Sequence, residues 1–168
     1  RESLVDSVRR VLVKHGIPPA WIMLEITETL LMQRVEEAIT LLQRIRELGV
    51  HIAMDDFGTG YSSLSVLQRL PLDVLKIDRS FVKSIDDEAG SVRARPIVGA
   101  IVAVAKELNL KVVAEGVENE AQLAYLRTLN CDTYQGYLFS KPIDTLKLAA
   151  LCAGNDSRPQ VHREEETG

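Results

Sequence analysis

Cysteine is nearly missing: Cys131 and Cys152 are the only two in 168 residues. That excludes a disulfide framework and a cysteine-based metal site, and leaves two reduced, buried thiols as the expectation. Aromatic residues are sparse too, at 5%, so the core must be mainly aliphatic. Basic residues are not in excess. With 24 acidic and 20 basic side chains the net charge is −4, which argues against a protein that coats polymeric nucleic acid. Long apolar runs are also lacking. The longest, such as residues 96–104, fall far short of the ~18 consecutive residues that a membrane span needs. The beginning of the chain does not read as a secretory leader, because Arg1, Glu2, Asp6, Arg9 and Arg10 interrupt any apolar run. What is present is 46% apolar content, in a length that suits one domain with a substantial core.

Helical and extended patterns alternate along that length. Leu4, Val5, Val8, Val11 and Leu12 form a helical stripe, with Ser3 as a cap and Gly16 as a stop. After Pro18 and Pro19, residues 21–26 form a compact apolar run. A second stripe (Ala38, Ile39, Leu41, Leu42, Ile45, Leu48) closes at Gly49, and residues 50–54 read as the next strand. A glycine loop and a short helix over 63–69 lead to a strand at 74–77. The stretch up to Pro96 is poorly periodic, and Pro96 marks the expected start of a helix with a broad apolar face through Leu108. A strand at 111–114, a helix over 120–129, a strand near 131–135 and a helix over 144–152 follow. Residues 154–168 are polar and aperiodic, and are expected to be a flexible tail.

Five apolar strands, each followed by helix, imply a parallel sheet covered by helices: α/β, either doubly wound or a (β/α) barrel. The polar residues favour the barrel. Each strand ends in polar groups: Glu25 and Glu28, Asp55 and Asp56, Lys76 and Asp78, Glu115 and Glu118, then Gln135. Strand alternation puts Met23, Glu25 and Thr27 on one face, with Ala53 and Asp55, Val74, Lys76 and Asp78, Val113 and Glu115, and Thr133 and Gln135. Their neighbours Ile22, Leu24, Ile26, Ile52, Met54, Leu75, Ile77 and Val112 suit packing under helices. The polar set then converges at the C-terminal strand ends, where barrel enzymes keep their active sites.

Crowding Glu25, Asp55, Asp56, Asp78, Glu115 and Glu118 against the single cation Lys76 is unfavourable unless something neutralises them. All-oxygen donors favour Mg²⁺, Mn²⁺ or Ca²⁺ over zinc. At a strand terminus Asp56 can turn into the loop, so the adjacent aspartates can serve two neighbouring ions, the arrangement used for phosphodiester hydrolysis. Lys76 orients water or a phosphate oxygen in this reading, or else balances buried charge. Gly58-Thr59-Gly60 lacks a P-loop ending and reads as a flexible loop. His15, His51 and His162 have no catalytic partner. Tyr61, Tyr134, Tyr137 and Phe139 are core residues by default, with stacking on a base as the functional alternative.

The blocks Leu24-Glu25-Ile26-Thr27-Glu28, Asp55-Asp56-Phe57-Gly58-Thr59-Gly60-Tyr61-Ser62-Ser63-Leu64, Lys76-Ile77-Asp78, Ala114-Glu115-Gly116-Val117-Glu118 and Gln135-Gly136-Tyr137 resemble, in order, the EAL domain of bacterial cyclic di-GMP phosphodiesterases. The resemblance spans residues 21–142. It implies a (β/α)₈ TIM-type barrel that hydrolyses cyclic di-GMP to linear pGpG with two Mg²⁺ or Mn²⁺ ions. By position, Glu25 and Asp55 bind one metal, and Asp55 bridges to a second held by Asp56. Lys76 positions or activates the attacking water. Glu115 binds or orients metal-bound water, Glu118 and Gln135 support that shell, and Glu28 braces the loop beginning at Asp55. Asp78 and Gln135 are the expected substrate contacts.

The Glu-Ala-Leu tripeptide itself does not occur, nor does the asparagine ligand that follows it in the family. The expectation is therefore a fragment: residues 1–153 as the C-terminal portion of the domain, with about five of eight βα units. Upstream EAL sequence, sensory or GGDEF domains, a homodimer and a cytoplasmic location complete the picture. The alternative is an inactive module that binds cyclic di-GMP or a protein partner.

Overall fold

A computed structural model describes residues 3–60, 63–86 and 90–153. Helix α1 (Leu4–His15) is capped by the Ser3 hydroxyl, which accepts the Asp6 N–H, and ends at Gly16 in the left-handed region. A single 3₁₀ turn (Pro19–Trp21) leads into β1 (Met23–Thr27). The strand begins later than the apolar run suggests, and Trp21 is left 79% exposed. Then come α2 (Glu28–Gln33), α3 (Val35–Arg46), β2 (His51–Phe57), α4 (Leu64–Leu67), β3 (Val74–Ile77) and α5 (Arg79–Lys83). The remainder is α6 (Ser91–Glu107), β4 (Lys111–Glu115), α7 (Glu120–Thr128), β5 (Thr133–Gln135) and α8 (Thr145–Cys152).

All four strand pairings are parallel and the order is β1-β2-β3-β4-β5. Strictly sequential order is that of a barrel wall, whereas a doubly wound sheet reverses direction part-way. Packing agrees. Ile52, Met54, Leu75, Ile77, Val112 and Ala114 line one face and bury against Leu31, Leu42, Leu67, Val82, Val98, Val102, Leu123 and Leu126 from α2, α3, α4, α5, α6 and α7. A smaller cluster joins α1 to α3 through Val5, Leu12, Ile45 and Val50. With helices on one face only, the other is free to carry polar groups. Among the described residues β1 and β5 each pair on one side, as in part of a TIM-type barrel.

Three expectations are corrected. Helix α6 starts at Ser91 and holds Pro96 inside it; the proline removes only the donor for the Val92 carbonyl, and Val92 is 76% exposed, so water can replace that bond. Cys131 is half-buried and Cys152 exposed, rather than both buried. Tyr137 and Phe139 lie at the surface, 59% and 47% exposed, because the segment after β5 runs over the sheet end rather than beneath a helix. Residues 154–168, His162 and Tyr61 lie outside the described residues.

Candidate functional site

Strand register carries the polar residues to one end of the sheet. Glu25 pairs with Ala53, Thr27 with Asp55, Lys76 with Val113, and Glu115 with Gln135. Residues paired across parallel strands share a face. Glu25, Asp55, Lys76 and Glu115 therefore rise on the side away from the helices.

There they meet. The Lys76 side chain is only 9% exposed, and its Nζ donates to Glu115 Oε1 at 2.7 Å, Glu25 Oε2 at 2.9 Å and Asp55 Oδ1 at 3.1 Å. An ammonium has three protons, and three carboxylates take them. Burial works against the charged form, yet these bonds outweigh it and hold Lys76 above the ordinary lysine range. Gln135 Nε2 adds a bond to Glu115 Oε1 at 3.1 Å.

The adjacent aspartates reach the site through a local irregularity. Between Met54 and Phe57 the β2–β3 register slips by one residue, because Met54 pairs with Leu75 and Phe57 with Ile77. Asp56 occupies this bulge with φ 55°, left-handed for a non-glycine residue. The bulge frees Asp56 from the strand alternation that would turn it toward the helices. Burial, then the Asp55 and Asp78 carboxylates and a hydrogen bond with Asp78, push the Asp56 pKa above its ordinary value. Burial has the same upward effect on Asp78, but the Ser80 hydroxyl and N–H, which Asp78 accepts as the cap of α5, draw it below that range.

Glu28 does not join this rim. It is buried at the start of α2, 1% exposed, and its Oε2 accepts the Gly58 and Gly60 N–H groups at 3.0 and 3.2 Å. A Cβ at Gly60 would lie 2.8 Å from the Glu28 carboxyl carbon, so the close approach requires glycine there. The loop read as flexible is thus tied down at Gly58 and Gly60. Glu118 is exposed and lines a cleft of about 490 Å³ together with Glu115, Gln135, Arg79, Tyr137 and Phe139.

One oxygen each from Asp55, Asp56 and Glu115 lies within 4.8 Å of the others, close enough to share a cation. The donors are hard, half-buried and of one charge, which fits a divalent oxygen-seeking ion such as Mg²⁺, Mn²⁺ or Ca²⁺. Glu25, expected among the ligands, lies instead on Lys76 and outside that set. Sequence reasoning missed the bulge, the buried position of Glu28, and Gln122 and Asp86 behind the β4–α7 loop. The signal available for Gln122 was its helical spacing, one turn before Leu126 and adjacent to Leu123 on the buried side of α7.

Residues 1–142 match the EAL domain family. The chain belongs to that family. It is 54% identical over 151 residues to cyclic di-GMP phosphodiesterase NbdA of Pseudomonas aeruginosa, covering 90% of this chain and 18% of NbdA. It spans about a fifth of the length of the curated relatives it matches. Among solved structures, the MucR phosphodiesterase in complex with c-di-GMP superposes with a TM-score of 0.82 at 45% identity, covering 86% of this chain and 57% of that one. A manganese and cy-diGMP complex of Klebsiella pneumoniae BlrP1 gives 0.75 at 32% identity, covering 84% and 35%. BlrP1 is also solved as a calcium complex, and calcium and manganese are both ions of the oxygen-seeking kind that the Asp55, Asp56 and Glu115 oxygens suit.

Proposed function

We propose that the EAL domain to which this chain belongs hydrolyses cyclic di-GMP to linear pGpG with two divalent cations, Mg²⁺ or Mn²⁺. The reading is carried by the convergence of Glu25, Asp55 and Glu115 on buried Lys76, beside the oxygen set of Asp55, Asp56 and Glu115. Bound there, the cations supply charge neutralisation at the phosphodiester and a water that deprotonates near neutral pH. Glu25, Asp55 and Asp56 would hold them.

The chain's own groups do the rest. Lys76 fixes three carboxylates in one orientation and presents an ammonium to the attacking water and the phosphate. Glu115, steadied by Gln135, orients that water, and Glu118 supports it from the cleft. Asp78 and Gln135 contact the substrate. Glu28 holds the loop after Asp56 so that the aspartate pair keeps its place. A linear product with a 5′-phosphate means that water oxygen joins phosphorus while the P–O3′ bond breaks; one proton leaves the water and one reaches O3′.

The same reading takes residues 1–153 as part of the domain, and includes a homodimer, neighbouring signalling domains and a cytoplasmic setting. The neighbouring signalling domains are supported by a relative named as a bifunctional diguanylate cyclase and phosphodiesterase; no helix of the described residues is long and apolar enough to cross a membrane. The decisive experiment follows pGpG release by the full-length protein with Mg²⁺ or Mn²⁺. Asp55→Ala should lower turnover on the order of 10³-fold, the scale of removing one charge-stabilising group, and a chelator should abolish it. Turnover that survives either treatment sinks the proposal.

A further inference from the structure

Gln122, on the inner side of α7, is a polar side chain only 3% exposed. Both ends of its amide are used. Oε1 accepts the Glu118 N–H at 2.8 Å, and Nε2 donates to Asp86 Oδ1 at 2.9 Å. Asp86 Oδ2 accepts from Asn119 Nδ2 at 2.6 Å, and Asn119 Oδ1 accepts the Gln122 N–H at 2.9 Å. Asp86, Asn119 and Gln122 close a ring of hydrogen bonds, and Gln122 extends it to the Glu118 N–H, which ties the β4–α7 loop to the segment following α5. A buried amide stripped of its partners is costly, so the ring holds or fails as a unit.

One bond of the network, from the Gln122 N–H to Asn119 Oδ1, caps α7, whereas the Glu118 N–H that the Gln122 side chain binds lies before the helix. The bond serves the loop. That loop leaves Glu115 on Lys76, turns at Gly116 (φ 69°) against Arg79, and continues through fully buried Val117. The Val117 N–H donates to Gln135 O at 3.1 Å, and its carbonyl accepts the Leu138 N–H at 3.0 Å. The loop is therefore pinned to the β5 side at Val117 and to α7 at Glu118, and Glu118 faces the same cleft as Glu115 and Gln135.

We infer that Gln122, oriented by Asp86, is a positioning residue for the hydrolysis, acting through the Glu118 main chain to hold the Glu118 carboxylate at the cleft beside Glu115. This rests on the function proposed above.

Gln122→Met keeps the volume and removes both side-chain bonds. In the full-length protein it should lower kcat about tenfold, the usual cost of losing an outer support of a metal site, with KM nearly unchanged. The double variant with Glu118→Ala should be no slower than Glu118→Ala alone, because the two act along one path. Amide exchange at Glu118 should quicken while that of Leu126 in mid-helix does not. Asp86→Ala, at an exposed residue, should give a smaller loss of the same kind, and serves if Gln122→Met fails to fold. Losses that multiply in the double variant, or a lowered melting temperature with kcat retained, overturn the inference. A wild-type protein without turnover defeats the functional reading and this role with it, whereas full activity in folded Gln122→Met and Asp86→Ala defeats this role alone.

Discussion

At the N-terminal end of the sheet, Asp73 and Asp132 each reach across to a neighbouring strand. Asp73 accepts the Ile52 N–H at 2.9 Å and Asp132 accepts the Val112 N–H at 2.8 Å. Both sit just before a strand, β3 or β5, and each satisfies a main-chain donor where strand pairing begins. Asp73 also has Arg46 at 3.4 Å and His51 at 3.5 Å. At the C-terminal end, Glu25, Asp55 and Glu115 instead crowd one buried ammonium, and burial together with the neighbouring Asp55 and Asp78 raises the Asp56 pKa. The two ends use the same chemical group in opposite ways. A carboxylate that accepts a main-chain donor stabilises the fold, whereas carboxylates gathered against one another destabilise it until cations arrive. Excess negative charge gathered at the C-terminal end of parallel strands is the reason the proposed site is placed at that end.

Lys76→Met breaks the contrast most severely. It leaves three carboxylates facing one another, and pGpG release should fall on the order of 10³-fold, measured at saturating Mn²⁺; a variant within tenfold of wild type would deny the lysine its role. Asp73→Ala probes the opposite end. Loss of an acceptor for the buried Ile52 N–H should cost about 1–3 kcal/mol in urea unfolding, while Mn²⁺ affinity and kcat stay at wild-type values; a changed Mn²⁺ affinity would show that the ends are not separable. The smallest effect concerns Asp86, between these extremes. The hydrogen bond from Gln122 draws its pKa below the ordinary 3.8, against the upward pull of burial, with Asn119 adding to the lowering. A carboxyl lowered by folding stabilises fully above its unfolded value, and that contribution is lost as pH falls through the folded one. Asp86→Asn should therefore show a shallower loss of stability than wild type below pH 3.8, followed by acid unfolding in urea; parallel curves would contradict the assignment.

Much of this arrangement was legible in the residues. Strand alternation has a period of two, so the common face of Glu25, Asp55, Lys76 and Glu115 follows from their positions, and the apolar faces of β2, β3 and β4 likewise. The Ser3 cap also read directly: its hydroxyl accepts the Asp6 N–H at the start of α1. The placement of Pro96 inside α6 was not legible, because a proline's local preference is for the first turn and only exposure of the Val92 carbonyl makes the interior position tolerable. Nor was the burial of Glu28, a residue type that is rarely buried without partners.

What the sequence determined by itself was the parallel α/β plan, the end of each strand at which polar groups gather, and their excess of negative charge. All of these follow from local periodicity and composition. The tertiary structure alone decided which carboxylates touch Lys76, that a register slip turns Asp56 out of line with its strand, which N–H groups of the loop the Glu28 carboxylate holds, and that Gln122 closes a ring with Asp86. Each of these is a bond between segments far apart in the chain. Its geometry depends on how neighbouring strands and helices settle against one another, which no local pattern encodes.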